Sequence, residues 1–142
     1  LSALCIIDEE WLATGSFGGQ LRVWRAADLG EVRCLETETP TRISQIVRLP
    51  GTDYLAASYH DGMIRGWGPE QQVFQFSGQV KLNGLAIHPG GRLLASIAGD
   101  GSWSLWEASL STAAGVCLST QTGHSEALHA MAFHPDGGLL FT

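Results

Sequence analysis

The sequence is poor in cysteine and in positive charge, and it has no long apolar run. Its three cysteines, Cys5, Cys34 and Cys117, stand singly without CxxC spacing, so we expect reduced thiols in the core of an intracellular protein rather than a disulfide or a zinc site. No apolar run approaches the roughly 18 residues of a membrane helix, and no basic segment precedes a short hydrophobic one, so neither a membrane span nor a signal peptide is expected. Eight Lys and Arg and a net charge of −6 argue against tight nonspecific nucleic-acid binding, so any contact with RNA should be at most local or indirect.

A repeat organises the chain. Three twelve-residue stretches align without gaps, Ala13–Trp24, Ala56–Trp67 and Ala95–Trp106, and their closing tryptophans are 43 and 39 residues apart. A fourth copy begins in the segment MAFHPDGGLLFT and stops at Thr142. Self-similarity with a period near 40 is typical of a propeller or a solenoid.

Each repeat has the local signals of β-strands. The apolar runs are short, rich in β-branched or aromatic residues, and separated by Gly, Pro, Asp and Ser, while HPGGR, HPDGG, HDG and GDG are typical of tight turns. Four antiparallel strands per unit predict an all-β propeller with one sheet per blade. We expect blades at 1–38, 39–78 and 79–122 and the first hairpin of another at 123–142, all in one propeller domain. A longer chain should continue with a turn Asp about four residues and a Trp about ten residues beyond Thr142.

The repeated residues resemble those of the WD-repeat proteins. The resemblance rests on the dipeptide Gly123-His124, the segment AFHPDG at Ala132–Gly137, and the spacing from a turn Asp to the Trp in the second and third units. It implies a hydrogen-bonded set in each blade, made of a His, a hydroxyl, the turn Asp and the Trp. The matching residues are Thr14, Trp24, Asp61, Trp67, Ser96, Asp100, Trp106, His124 and Thr142, and the departures are Gly18, Ala57 and Gln79.

Two tryptophans in the third repeat have different expected roles. Trp106 occupies the repeated position, so its indole N–H should belong to the polar set around Asp100. Trp103 aligns with Leu21 and Ile64, and its side chain should pack between adjacent blades.

No residues in the sequence argue for catalysis or for a cofactor. Ser58, His60 and Asp61 have the residue types of a hydrolytic triad, but they are crowded into one turn, which indicates turn chemistry. His124, His129 and His134 recur every five residues, a spacing that suits neither a helical nor a strand pair of metal ligands. We therefore expect no catalytic residue, cofactor, metal or small-molecule substrate.

A role in binding other proteins is the better prediction. Propellers bind partners with the loops at the ends of their blades, because neighbouring blades cover both faces of each sheet. Residues expected on exposed turns and loops, and therefore possible partner contacts, are Phe17, Tyr59, His60, Arg42 and Lys81. Ordinary solvated loops are the alternative for each of them.

A narrower resemblance is to the Prp-four splicing-factor family. It rests on HPGGRLLASIAGDGSWSLWE followed by TGHSEALHAMAFHPDG, and on LATGSFGGQLRVW, where Phe17-Gly18 replaces the usual turn Asp. This resemblance implies a seven-bladed nuclear scaffold that holds other proteins of the U4/U6 small nuclear ribonucleoprotein (snRNP) during splicing. The alternatives are the propeller of a Prp-nineteen-type ubiquitin ligase, whose catalytic U-box would lie outside this segment, and an adaptor or substrate receptor unrelated to RNA.

Overall fold

The computed structural model describes residues 1–69, 71–77, 80–109 and 114–142, and over these residues it is all-β. Gln79 and the expected boundary at 78/79 lie outside the described residues. The strands are β1 Ala3–Ile6, β2 Trp11–Gly15, β3 Leu21–Arg25, β4 Glu31–Leu35, β5 Ile43–Arg48, β6 Leu55–Tyr59, β7 Met63–Trp67, β8 Gln72–Ser77, β9 Leu82–Ile87, β10 Leu93–Ala98, β11 Ser102–Ser109, β12 Ala114–Thr122, β13 Ala132–Phe133 and β14 Leu140–Phe141.

The strands form three four-stranded antiparallel sheets and a two-stranded hairpin. Strands β1 to β4, β5 to β8 and β9 to β12 follow one another within their sheets in chain order, and β13 pairs with β14. The predicted all-β, four-stranded architecture is confirmed. The turns between the second and third strands need a glycine, because Gly19, Gly62 and Gly101 all have a φ of +83°.

Two apolar cores join the sheets face to face. The first and second sheets enclose Ala13, Leu21, Val23, Ile43, Ile46, Leu55, Ala57, Tyr59 and Trp67. The second and third sheets enclose Leu49, Ala56, Ile64, Phe74, Phe76, Leu82, Leu85, Leu94, Ala98 and Trp106. The first strands lie side by side, β1 against β5, β5 against β9 and β9 against β13. The sheets are therefore arranged as consecutive blades of a propeller, with the first strand of each innermost.

A side-chain hydrogen bond recurs where one blade meets the next. Ser44 and Asn83 occupy equivalent positions, each following a buried aliphatic residue of a first strand. The Ser44 Oγ donates to the Leu82 carbonyl oxygen at 2.6 Å, and the Asn83 Nδ2 donates to the Leu128 carbonyl oxygen at 3.0 Å. Leu128 aligns with Leu82, so the same junction contact occurs twice.

The expectation that all three cysteines lie in the core needs correction. Cys34 and Cys117 are exposed, and only Cys5 is half-buried. Cys34 and Cys117 lie on the last strands of their sheets, β4 and β12, and the two cores do not include them. Trp103 is half-buried, whereas the equivalent Leu21 and Ile64 are fully enclosed. Among the described residues, no helix is both long and apolar enough to cross a bilayer.

Candidate functional site

A tryptophan and a hydroxyl are joined in the first and third blades. Trp24 Nε1 donates to Thr14 Oγ1 at 2.8 Å, and Trp106 Nε1 donates to Ser96 Oγ at the same distance of 2.8 Å. Each pair links the third strand to the second across one sheet face, because the two residues lie near each other in the antiparallel register. In the third blade both partners are buried, so the hydroxyl satisfies an indole N–H that water does not reach.

The second blade builds the same link from a different residue. Ala57 stands where the other blades have a hydroxyl, and Trp67 Nε1 donates instead to the Tyr59 hydroxyl at 3.1 Å. Tyr59 lies two residues along β6 from Ala57, so the side chains of both point to the same face. The expectation that Tyr59 is exposed is wrong, because its side chain is 0% exposed and packs in the core between the first and second sheets.

An ion pair lies over the Tyr59 ring. The Arg65 guanidinium is centred 4.4 Å from the ring centroid and donates to both carboxylate oxygens of Asp61, at 2.7 and 3.3 Å. A continuous chain of contacts therefore runs from the sheet to its turn, from Trp67 through Tyr59 and Arg65 to Asp61. The role of Arg65 was not predicted from the sequence. Two signals were available, the absence of a hydroxyl at Ala57 and the presence of Asp61 four residues before Arg65.

Burial raises the pKa of Tyr59 to about 12 from an ordinary value of 10.0, while the hydrogen bond from Trp67 and the charge of Arg65 act in the opposite direction. Because the folded-state pKa is raised, this contribution to stability is complete below pH 10 and is lost as the pH rises towards 12. We expect the melting temperature of the protein to fall faster between pH 10 and about 12 than that of a Tyr59→Phe variant. Thermal unfolding of the two at matched pH checks this, and parallel pH profiles would contradict it.

The turn aspartates are held at the ends of the sheets. Asp100 Oδ1 accepts hydrogen bonds from Ser102 N at 3.0 Å and Ser102 Oγ at 2.6 Å, and these two bonds lower the pKa of its carboxyl group. Within the expected polar set of the third blade, the Trp106 N–H bonds to Ser96, while Asp100 lies on a turn that is open to solvent.

A serine replaces the missing turn Asp of the first blade. Gln20 N donates to Ser16 Oγ at 3.0 Å, whereas the equivalent amide in the second blade, Met63 N, donates to Asp61 Oδ1 at 3.0 Å. The departure at Gly18 therefore does not leave the Gln20 amide unpaired.

His124 contacts another residue of its own blade, and Ser58, His60 and Asp61 do not form a hydrogen-bonded triad. His124 Nε2 lies 2.9 Å from Thr142 Oγ1, so the structure brings these two predicted blade residues together. Within the described ranges, no group of three or more His, Cys, Asp or Glu side chains could hold a metal ion. Ser58 is fully buried, and its Oγ has no hydrogen-bond partner among the described residues, so it is not joined to His60 or Asp61.

Four of the five predicted contact residues lie together at one end of the blades. Phe17 and His60 occupy equivalent turns between the second and third strands, while Arg42 and Lys81 immediately precede β5 and β9. Within the second blade, His60 N donates to Arg42 O at 2.9 Å, and across the first junction the Arg42 guanidinium lies 4.7 Å from the centroid of the Phe17 ring. We call Phe17, Arg42, His60 and Lys81 the basic turn surface.

A cleft of about 770 Å³ was not anticipated from the sequence. It lies beside β4 and the outer part of the second sheet and is lined by Glu36, Glu38, Arg65, Trp67 and Gln72 among others. The cleft contains none of the four residues of the basic turn surface, so the two are separate candidates for contact with a partner.

The repeated four-stranded antiparallel sheets, packed face to face in chain order, are the blades of a β-propeller. The WD40 family, described as "WD domain, G-beta repeat", matches residues 70–107 and 115–142, which supports a WD-repeat protein. No curated protein matches the chain.

Comparison with solved structures supports the same fold. A chain of the structure described as "Crystal Structure of Mitotic Checkpoint Complex" superposes with a TM-score of 0.83 at 19% sequence identity, covering 94% of this chain and 42% of that one. The present chain thus spans less than half the length of that chain. In all, 1155 solved chains match, so the fold is widely shared and by itself identifies no partner.

Proposed function

We propose that this chain is part of a non-catalytic scaffold that binds other proteins through the ends of its blades. The observation that carries this proposal is the basic turn surface, where four side chains from two turns and two loops meet on a rigid frame of paired strands. Sites on loops held by a rigid scaffold are typical of binding proteins. We further propose that the units 1–38, 39–78, 79–122 and 123–142 act as blades of a single domain.

We infer that the scaffold belongs to the U4/U6 snRNP and acts in the nucleus during spliceosome assembly. The support is the resemblance of three segments to the Prp-four family, including Phe17-Gly18 in the first turn and Trp103 in the strand SWSLW. Its partners would be snRNP proteins, since the net charge of −6 disfavours extensive contact with RNA.

Purification of the tagged full-length protein from nuclear extract tests this assignment. We expect U4 and U6 RNAs and their proteins to be enriched over an extract with an unrelated tagged propeller. Absence of both RNAs would refute the splicing role. Recovery of ubiquitin-ligase activity would instead favour the Prp-nineteen type, and recovery of neither would favour an adaptor unrelated to RNA.

A further inference from the structure

Among the described residues, three of the eight Lys and Arg residues, Arg33, Arg42 and Lys81, form no ion pair with a carboxylate. Five arginines form ion pairs, Arg22 with Glu31, Arg25 with Asp28, Arg48 with Asp53, Arg65 with Asp61 and Arg92 with Glu107. Arg33 donates to the carbonyl oxygen of Pro69. The two that remain, Arg42 and Lys81, both belong to the basic turn surface.

The repeat places these two cations in equivalent positions. Each immediately precedes the first strand of a blade and lies close to the turn residue of the preceding blade. The Arg42 guanidinium is 4.7 Å from the centroid of the Phe17 ring, and Lys81 is near enough to His60 to affect its ionisation. Phe17 is 63% exposed, so the ring that supports Arg42 also presents apolar area to solvent.

The next junction ends the patch. Gly99 occupies the position of Phe17 and His60, and Ala127 occupies the position of Arg42 and Lys81. The third turn therefore supplies neither a ring nor a cation, and the positive charge is confined to two neighbouring junctions.

The local charge is uncompensated. Burial, followed by the charges of Lys81 and Arg42, lowers the pKa of His60, and no carboxylate contributes to that shift. The nearest acidic side chain in sequence, Asp61, is bonded to Arg65 on both oxygens.

We propose that the basic turn surface binds an acidic segment of a partner protein, with carboxylates on Arg42 and Lys81 and an aliphatic side chain against Phe17. This inference rests on the proposed scaffold function and names the chemistry of its partner. A carboxylate can accept two parallel, charge-assisted hydrogen bonds from the planar guanidinium of an arginine. A nucleic acid fits less well, because it carries a charge on every nucleotide and approaches a chain whose net charge is −6.

A fluorescein-labelled peptide with four glutamates around a central leucine tests the proposal by fluorescence anisotropy on the full-length protein. We expect binding that weakens as salt rises and at least about a fivefold loss of affinity in Arg42→Gln/Lys81→Gln, in line with two partly exposed ion pairs. The matched control is Arg92→Gln, which removes the same type of charge from the hairpin between β9 and β10 and should leave affinity unchanged.

Several outcomes would overturn the inference. They are equal binding by the double variant and Arg92→Gln, equal binding of a peptide with glutamine in place of glutamate, and stronger binding of a single-stranded RNA oligonucleotide at the same surface. The peptide comparison does not depend on the folding of any variant. If the double variant binds the peptide as tightly as Arg92→Gln while the unaltered protein recovers U4 and U6 RNAs, the acidic-segment site is rejected and the splicing scaffold stands. If peptide binding depends on Arg42 and Lys81 but the unaltered protein recovers neither RNA, the splicing role alone is rejected.

Discussion

Gly66→Ala is expected to destabilise the full-length protein by about 3 kcal/mol, the upper part of the range for overpacking a core. A Cβ at Gly66 would lie 2.1 Å from Cε1 of Phe74, and two other ring atoms of Phe74 would lie within 2.4 Å. The ring is 2% exposed and stacks on Phe76, which contacts Trp106 at a centroid distance of 5.0 Å. Because the ring has no free space to enter, the substitution should disturb the contact between the second and third blades. Chemical denaturation measures the loss.

The same substitution elsewhere provides the control. Gly123→Ala meets no atom within 4 Å and requires no unusual backbone conformation, so it should change stability by less than about 0.5 kcal/mol. Adding Phe74→Leu to Gly66→Ala should restore part of the loss, since the two residues are register partners. Equal stability of the two alanine variants would show that the ring over Gly66 can move aside.

Tyr59→Phe is expected to cost about 1–3 kcal/mol, because it leaves the Trp67 N–H buried without an acceptor. Trp67 is 4% exposed, so water cannot replace the lost hydroxyl. Because the phenyl ring keeps its contact with Arg65, the substitution measures the loss of the hydrogen bond without a loss of ring packing. Thermal and urea unfolding of the full-length protein measure the effect, and Tyr54→Phe serves as the control because the Tyr54 hydroxyl makes no hydrogen bond among the described residues.

A second substitution should rescue the first. Ala57→Ser places a hydroxyl where Thr14 and Ser96 serve the other blades, and in the Tyr59→Phe background it would occupy the space that the tyrosine oxygen leaves. We expect the double variant to recover at least half of the lost stability. If Ala57→Ser lowers stability equally with and without the Tyr59 hydroxyl, a serine at position 57 does not replace that hydroxyl as the acceptor for Trp67.

The repeat pattern predicted the strands well because it is local. The three aligned stretches placed the second and third strands, and the turn glycines at positive φ followed from the short FGG, HDG and GDG connections. The alignment also placed Leu21 and Ile64 in contact positions that proved fully buried. Such positions depend only on strand alternation, which a sequence states directly.

It was harder to predict where a residue at a different position takes over the role of a missing repeat residue. Tyr59 follows three small residues and precedes a turn, which favoured an exposed side chain, but its ring fills the core because Ala57 provides neither bulk nor a hydroxyl. The packing of the Phe74 ring over Gly66 was likewise not predicted, because the residues equivalent to Gly66 in the other two blades are Val23 and Leu105. A single sequence shows each departure from the repeat but not which neighbour compensates for it.

The candidate binding surface shows the same limit. Phe17, Arg42, His60 and Lys81 could be selected as loop residues, yet their grouping depends on which turn of one blade meets which loop of the next. That offset is set by backbone bonds such as Ile43 N to Ser16 O at 3.1 Å, which the sequence does not state.

The hydrogen bonds from Ser44 and Asn83 make two successive junctions head-to-tail, since the donor belongs to one blade and the acceptor to its successor. Contacts of this type can repeat with a constant rotation, so a ring closes without any twofold-symmetric contact. A propeller of this kind can therefore add blades through one repeated contact, and two donors of different length, Ser44 and Asn83, make it at successive junctions.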